Sequence, residues 1–178
     1  LNAQKIATAH TLSDTAETII FNMARGTGLK GLCGIQPVRG NIMRPMIEAT
    51  KQEVTDYCEK NALLYVSDSS NEDIYFSRNR IRKNIIPELL KINPDFYGAV
   101  VRMTEIIKEE DSFLNSLAQS IVSESLTVKG YDINKLKNNE KAVLKRAIAL
   151  IIRNESNNYA DGKHISQLYG VIYKGKNA

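Results

Sequence analysis

Residues 5–18 read KIATAHTLSDTAET, a short apolar run that passes almost at once into a helix-forming segment. The run from Lys5 to Ala9 predicts a strand, and the apolar residues after it recur at helical spacing. Asp14 followed three residues later by Glu17 resembles a capping box, so we expect a helix to begin near Ser13 or Asp14. A strand that leads directly into a helix is typical of an α/β layer.

The composition of the 178 residues is that of an ordinary globular protein, with 43% hydrophobic, 25% charged and 7% aromatic residues. This composition excludes a disordered tail, a collagen-like repeat and a disulfide-stabilised miniprotein. The net charge of +4 permits a polyanionic partner without requiring one. Two cysteines are too few for a disulfide framework or a structural zinc site, and no apolar stretch approaches the roughly 20 residues that span a bilayer. We therefore expect a cytoplasmic protein with no membrane partner.

The second half of the chain has the pattern of successive helices. Thr50 and Glu53 form a second capping box, Pro87 is expected to bend or interrupt its helix, and Asn93-Pro94 is a helix start signal. Helices are predicted over residues 50–61, 77–90, 94–126, 139–154 and 161–173, and extended segments over 41–45 and 63–66. Loops are predicted at the glycines of residues 26–34 and over the polar residues 67–73. The predicted architecture is a partial α/β layer over residues 1–90 followed by an all-α domain over 91–178.

The segment from His10 to Glu17 is the strongest candidate for a binding site. In an open α/β sheet the ligand crevice lies beyond the carboxyl ends of the strands, where His10 falls, and a helix N-terminus offers amide donors to a phosphate. Asp14 and Glu17 share one face of the first helical turn, a geometry suited to holding a cation such as an ammonium group or magnesium. The alternative is that both acids only cap the helix and that His10 is a partly exposed loop residue.

Two further segments carry cations that could contact phosphates. Residues 25–32, RGTGLKGL, could let backbone amides approach a phosphate, but helix termination is the simpler explanation because the spacing departs from known phosphate loops. In residues 78–83, RNRIRK, Arg78 and Arg82 share a helix face, which fits either a phosphate clamp or a solvated basic face. Tyr75 and Phe76 could stack on a base or anchor a loop. We interpret Cys33 and Cys58 as small buried or half-buried residues and His164 as structural.

Five segments, taken in order, resemble the bacterial tRNA(Ile)-lysidine synthetase family, and the resemblance is densest from Ile6 to Pro94. The segments are IATAHTLSDTAET, RGTGLKGLCGI, Arg44-Pro45, DSSN and RNRIR. That family belongs to the PP-loop ATP pyrophosphatases, whose nucleotide-binding layer is of the adenine nucleotide alpha hydrolase-like type. The resemblance implies an ATP-dependent, tRNA-modifying ligase that adenylates C2 of the wobble cytidine and joins free lysine to it, releasing AMP and pyrophosphate. It implies ATP and Mg2+ as cofactors and, as partners, free L-lysine and the tRNA(Ile) with a CAU anticodon. It leaves a homodimer open.

The resemblance also implies roles for residues that match the family pattern. The residues expected to contact the nucleotide are His10, Arg25, Gly26 and Gly28. Of these, His10 and Arg25 are the expected catalytic residues. Asp14 and Glu17 match the acidic pair expected to hold the amino groups of lysine, together with Arg82. The residues expected to bind tRNA are Arg78, Asn79, Arg80 and Arg82, and no residue is assigned to a metal.

The chain departs from the family pattern in two ways. The common pattern is roughly TGHHxDDQAET, and this chain has Ala9, Thr11, Ser13 and Thr15 in place of Gly, His, Asp and Gln, while the acidic pair keeps its spacing. Nothing in the 178 residues resembles the serine-glycine-glycine-x-aspartate-serine loop that cradles pyrophosphate in the family. We therefore expect a segment of a longer synthetase that is inactive by itself. The alternative is a stand-alone RNA-binding module without catalytic activity.

Overall fold

The computed structural model of the chain describes residues 3–66, 77–156 and 161–174. The chain divides into two compact units, Leu1–Lys108 and Glu109–Ala178. The division falls inside a long helix, further along the chain than residue 90, because the first part of that helix packs Val100 and Met103 against the core of the first unit. The assignment of domains to residues 1–90 and 91–178 stays a prediction.

The first unit combines a small sheet with helices. In chain order its elements are β1 (Ile6–Ala7), α1 (Leu12–Ala24), α2 (Leu29–Leu32), β2 (Val38–Arg39), β3 (Ile42–Met43), α3 (Lys51–Lys60), α4 (Ser77–Arg80), a π-helical segment (Ile81–Ile85), α5 (Ile86–Ile92) and the start of α6 (Phe96–Ser125). The strand order is β1-β3-β2. Strand β1 runs parallel to β3, with Ile6 opposite Ile42, and β2 is antiparallel to β3. The parallel pair places the carboxyl end of β1 directly before α1.

The core of the first unit is a cluster of apolar side chains from four segments. Its buried members are Ala16, Ile19, Ile81, Ile86 and Val100. Ile81 and Ile86 are five residues apart, which in an α-helix of 3.6 residues per turn would separate them by about 140°. The π-helical segment instead joins the Ile86 amide to the Ile81 carbonyl, so both side chains reach the core. Pro87 follows at once and lacks the amide that a regular helix would need there.

Several elements of the first unit match the sequence-based expectations. The strand within residues 5–9, the extended segment within 41–45, the helix that ends at Asn61 and the interruption near Pro87 are confirmed. The predicted extended segment at residues 63–66 is wrong: no described strand pairs with it, and Leu64 and Val66 are almost fully exposed. Strand β2 and the short helix α2, which interrupts the predicted glycine loop, were not anticipated. The predicted polar loop at 67–73 lies outside the described residues.

The second unit is helical apart from one short hairpin. After the end of α6 come β4 (Leu126–Thr127), β5 (Gly130–Tyr131), α7 (Ile133–Lys137), α8 (Lys141–Ser156) and α9 (Gly162–Lys174). Its core cluster includes Ala118, Leu144, Ala147 and Ile148, all buried. An ion pair between Asp111 and Arg146, with oxygen and nitrogen 2.6 Å apart, joins α6 to α8. The long helix and the last two helices were predicted from the sequence, whereas the hairpin and α7 were not.

Within residues 3–66, 77–156 and 161–174, no helix is both long enough and apolar enough to cross a lipid bilayer.

Candidate functional site

Helix α1 begins one residue after a threonine that caps it. The Thr11 hydroxyl accepts a hydrogen bond from the Asp14 amide, and Asp14 Oδ2 accepts bonds from the Thr11 amide and hydroxyl, each at 2.8 Å. The expectation that Asp14 and Glu17 form the capping box is therefore wrong. The pair that caps is Thr11 and Asp14, because Thr11 has the extended backbone of an N-cap and Asp14 stands three residues later.

Glu17 instead forms a buried ion pair with Arg82. Arg82 Nε donates to Glu17 Oε1 at 2.6 Å and Arg82 Nη2 donates to Oε2 at 3.0 Å, a bidentate arrangement that joins α1 to the π-helical segment. Glu17 is only 1% exposed. The hydrogen bond to Glu17 raises the pKa of Arg82 above its ordinary value, and the charge of Asp14 acts in the same direction. Arg82 therefore remains a cation at every physiological pH.

A pocket of about 410 Å³ opens beside this ion pair. Asp14 and Arg82 line it from α1 and the π-helical segment, while Lys51, Val54 and Cys58 line it from α3. Its volume lies within the range of about 300–1,000 Å³ that is usual for small-molecule sites. Glu17 is not among the residues that line the pocket, so only one acid of the predicted pair reaches it.

Asp14 retains an oxygen that can accept a ligand. Asp14 Oδ2 is engaged by Thr11, whereas the nearest ion-pair contact of Oδ1 is Arg82 Nη2 at 3.5 Å. This distance is at the long end of hydrogen bonding and leaves room for a stronger donor. A half-buried carboxylate in such a pocket is suited to hold an ammonium group by a charge-assisted hydrogen bond.

His10 lies between β1 and α1 and is half-buried. Its Nδ1 is 2.9 Å from the Thr8 hydroxyl, a hydrogen bond that fixes the orientation of the ring. His10 is not one of the residues that line the pocket. It is therefore close in the chain to the residues predicted to bind lysine, but it does not line the pocket with Asp14 and Arg82.

The glycine segment lies at the opposite end of α1 from Asp14. Arg25 is the C-cap residue of α1, and its guanidinium stands 5.1 Å from the centre of the Phe21 ring. Gly26 has a positive φ of 73°, and Gly28 is the N-cap of α2. Eleven residues of helical rise separate the backbone of Asp14 from that of Arg25 by about 16 Å. The described structure therefore does not bring this exposed segment together with the pocket.

The basic segment from Arg78 to Arg82 divides into different environments. Arg78 and Arg80 are exposed, Asn79 is buried, and Arg82 is held by Glu17. The four residues predicted to bind tRNA therefore do not share one environment, since Asn79 is buried and Arg82 lines the pocket beside Glu17. Tyr75 and Phe76 lie outside the described residues.

The remaining candidates have structural contacts. Cys33 is buried and donates to the Leu29 carbonyl, and Cys58 is half-buried, which confirms both expectations. His164 Nδ1 lies 2.9 Å from Asp161 Oδ1 at the exposed start of α9. This contact is consistent with a structural role for His164. In the part of the chain that the structure describes, no three His, Cys, Asp or Glu side chains are grouped closely enough to hold a metal ion.

The pocket wall contributed by α3 is the part of the site that sequence reasoning missed. The Ser13 hydroxyl accepts a hydrogen bond from the Lys51 amide at 3.0 Å, which ties the start of α3 to the first turn of α1. The capping box at Thr50 and Glu53 marked the start of α3, but no local pattern indicates that this helix lies beside α1. The partner of Ser13 is 38 residues away in the chain.

Comparisons with known proteins identify the family of the chain. Residues 1–89 match the PP-loop domain, a nucleotide-binding α/β domain. The chain is 45% identical over 114 residues to the tRNA(Ile)-lysidine synthase of Thermosipho africanus, covering 64% of this chain and 27% of that protein. It is 37% identical over 156 residues to the enzyme of the same name from Caldanaerobacter subterraneus, covering 83% of this chain and 33% of that protein.

A third relative is the bifunctional protein TilS/HprT of Listeria monocytogenes, 34% identical over 182 residues, which cover 96% of this chain and 28% of that protein. The chain thus spans about a third or less of the length of the curated relatives it matches. It belongs to the tRNA(Ile)-lysidine synthase family of PP-loop proteins.

Proposed function

We propose that this chain is part of an ATP-dependent ligase that modifies the wobble cytidine of tRNA(Ile) with free lysine. The observation that carries the proposal is the pocket in which Asp14 faces open space beside the Glu17–Arg82 pair. A substrate with an ammonium group fits a carboxylate held in this way. The relatives named tRNA(Ile)-lysidine synthase support lysine as that substrate.

Asp14 and Glu17 have different roles in this proposal. Asp14 lines the pocket and binds the α-ammonium group of lysine directly. Both oxygens of Glu17 already contact Arg82, so Glu17 acts by fixing the guanidinium at the floor of the pocket. Arg82 in turn stays within 3.5 Å of Asp14 and keeps that carboxylate oriented. Glu17 is therefore a positioning residue for lysine binding.

The proposed reaction has two steps. The C2 oxygen of cytidine attacks the α-phosphorus of ATP, and pyrophosphate leaves. The uncharged side-chain amine of lysine then attacks C2, the C2–oxygen bond breaks, AMP leaves with the oxygen, and the amine loses a proton. Binding the charged α-ammonium group at Asp14 leaves the other amine available as the nucleophile, which is the purpose of holding lysine by one end.

The nucleotide and tRNA are assigned to residues outside the pocket. His10, fixed through Nδ1 by Thr8, would present Nε2 to the nucleotide, and the Arg25 guanidinium would stabilise negative charge that develops on phosphate. The absence of side chains at Gly26 and Gly28 would let the backbone approach the phosphate closely. The exposed Arg78 and Arg80 would contact tRNA phosphates, with Asn79 and Arg82 supporting them from inside. Magnesium would neutralise the phosphates of ATP, and no residue of this chain is assigned to it.

The test of this function is the dependence of AMP formation on the substrates. The full-length protein should form AMP only when ATP, lysine and tRNA(Ile) with a CAU anticodon are all present. The 178-residue chain assayed alone is the control and should form none. Release of AMP that does not depend on lysine would contradict the proposal.

Replacing Asp14 by alanine in the full-length protein tests the lysine pocket. We expect the KM for lysine to rise by about 10- to 100-fold, because a charge-assisted hydrogen bond is lost. The KM for ATP should remain within about twofold of wild type. Asp56→Ala on the exposed side of α3 is the matched control. An unchanged KM for lysine would remove Asp14 from the site.

A further inference from the structure

Two residues of opposite charge, Asp14 and Lys51, line the same pocket. Asp14 lies on α1, and Lys51 is the first residue of α3. Among the residues that the structure describes, the Lys51 ammonium makes no hydrogen bond or ion pair, although its backbone amide is bonded to Ser13. Lys51 is thus a cation with free donors at the edge of a pocket that contains a carboxylate.

The charge of the third ionic group in the pocket is already balanced. Arg82 lines the pocket but faces the buried carboxylate of Glu17 through two short hydrogen bonds. Once this pair is set aside, the pocket retains one negative charge at Asp14 and one positive charge at Lys51. A ligand that complements both charges carries one ammonium group and one carboxylate, as the head of a free amino acid does.

Part of the pocket lining is apolar. Val54 and Cys58 on α3, together with Met46, line the same pocket. An aliphatic chain can bury methylene groups against such a surface. The pocket therefore combines two opposite charges with an apolar wall, which a simple diamine would satisfy only in part.

We propose that Lys51 binds the α-carboxylate of the lysine substrate while Asp14 binds its α-ammonium group. This inference rests on the proposed function, since it concerns the same pocket, and it adds the residue that selects an α-amino acid over an amine without a carboxylate. A diamine would leave the Lys51 ammonium without an anionic partner. The pocket is thus selective for the zwitterionic head group, and the side-chain amine of lysine is left to react.

The experiment compares L-lysine with two competitors in the full-length protein. Cadaverine has both amines of lysine but no carboxylate, and 6-aminohexanoate has the carboxylate but no α-amine. The variant is Lys51→Gln, and the matched control is Lys60→Gln, the same change at the last residue of α3 outside the pocket. The measured quantities are the KM for lysine, ATP and tRNA and the inhibition constants of both competitors.

The expected result is a rise of about 10- to 100-fold in the KM for lysine, the loss typical of a hydrogen bond between charged groups. The inhibition constant of 6-aminohexanoate should rise by a similar factor, whereas that of cadaverine should stay within about twofold. Lys51→Arg should restore most of the affinity for lysine because the cation is kept. Lys60→Gln should resemble wild type throughout.

Three results would overturn the inference. A similar loss for lysine and cadaverine would mean that Lys51 only maintains the pocket. A rise in the KM for ATP instead of lysine would mean that Lys51 contacts a nucleotide phosphate. An unchanged KM for lysine would mean that the carboxylate is bound elsewhere. Failure of the proposed function looks different, because the wild-type protein would then show no lysine-dependent formation of AMP.

Cys58 offers a second measurement that does not require turnover. Its thiol lines the pocket and is half-buried, whereas Cys33 is buried, so iodoacetamide should modify Cys58 first. Lysine should slow the modification of wild-type protein, and cadaverine at the same concentration should slow it less. In Lys51→Gln the two ligands should protect equally. Equal protection in the wild-type protein would contradict a carboxylate contact at Lys51.

Discussion

At the scale of single residues, the candidate site depends on side chains whose roles differ although their types are similar. Asp14 and Glu17 are both acids on the same helix, yet Asp14 lines the pocket and caps α1 while Glu17 is buried against Arg82. The departures from the family pattern also have defined contacts. Thr11 is the N-cap of α1, and Ser13 accepts the Lys51 amide. These substitutions keep polar side chains that serve the backbone, so the local structure does not depend on the residues they replace.

Replacing Arg82 by methionine should destabilise the protein because the Glu17 carboxylate would lose both hydrogen bonds in a buried position. We expect a loss of about 2–3 kcal/mol in the free energy of unfolding, below the full value for a buried pair because 28% of the Arg82 side chain is exposed. The measurement is urea unfolding. Arg78→Gln is the control and should change stability by less than about 0.5 kcal/mol, since Arg78 is exposed.

The double variant Arg82→Met with Glu17→Gln separates the pair from the side chains themselves. Removing both charges leaves no unpaired ion, so the double variant should be more stable than the sum of the two single losses indicates. Losses that simply add would contradict a direct interaction between Glu17 and Arg82.

At the scale of elements, the helix ends and the π-helical segment place the residues of the pocket. The capping box of α3 satisfies the first amides of the helix whose first residue is Lys51. The π-helical segment turns Ile81 and Ile86 to the core and leaves Arg82 able to reach Glu17. A wide helical turn near a candidate site agrees with the frequent occurrence of such turns at functional positions.

The cap of α3 should make stability depend on pH. The Thr50 amide and then the Thr50 hydroxyl donate to Glu53, which lowers the pKa of the Glu53 carboxyl below its ordinary value of 4.5. Its contribution is therefore complete above the ordinary pKa and is lost as the pH falls through the lowered value. Glu53→Gln should have a lower Tm than wild type at about pH 7, and the two curves should converge in acid.

Thermal unfolding followed by circular dichroism from about pH 3 to pH 7 checks this prediction. Thr50→Ala is the companion variant, since it removes the hydroxyl donor to Glu53 and keeps the amide donor. The difference in Tm between Thr50→Ala and wild type should therefore depend on pH less than the difference for Glu53→Gln. A constant difference between Glu53→Gln and wild type across this range would contradict the role of the carboxylate.

The π-helical segment predicts unequal losses of stability when two adjacent isoleucines are replaced. Ile86 is 4% exposed and belongs to the core cluster, so Ile86→Ala should cost about 2–4 kcal/mol of unfolding free energy. Ile85 is 42% exposed, and Ile85→Ala should cost less than about 1 kcal/mol. Urea unfolding of both variants provides the measurement. Equal losses would show that the turn at Ile81–Ile85 does not hold in solution.

At the scale of the whole molecule, each compact unit has its own apolar cluster. The first is built around Ala16, Ile19 and Ile81, and the second around Leu144, Ala147 and Ile148. The charges are spread evenly, with 12 basic and 10 acidic residues on each side of Asn93. A net charge of +4 therefore supports a polyanionic partner only in a general way, and the proposal of tRNA as partner rests on the family.

Leu144→Ala tests the core of the second unit. Leu144 has no exposed surface, so its truncation should cost about 3–5 kcal/mol, the range for a large cavity in a rigid core. Residue-resolved hydrogen exchange should show faster exchange at the amides of α8 and α9, which line this cluster. Leu168→Ala on α9, where the side chain is 40% exposed, is the control. Unchanged protection in α8 would contradict the assignment of Leu144 to the core.

The sequence alone determined the elements whose signals are local. Four such features could be predicted, because the residue types and their spacing along one helix decide them. They are the cap at residue 50, the interruption near Pro87, the long helix to Ser125 and the apolar face of α8. The same local signals gave wrong predictions where the structure depends on contacts with other segments of the chain. Residues 63–66 have the composition of a strand but no described partner strand, and the cap of α1 began earlier than the acidic pair suggested.

Only the tertiary structure decided how the site is assembled. The pairing of Glu17 with Arg82 joins residues 65 positions apart, and the contact of Ser13 with Lys51 joins residues 38 apart. Neither separation leaves a periodic trace in the chain, since such contacts follow from how helices pack and not from helical repeat. For that reason the motif identified the acidic pair, whereas packing decided that Asp14 and Lys51 line the same pocket and that Glu17 is buried and paired with Arg82.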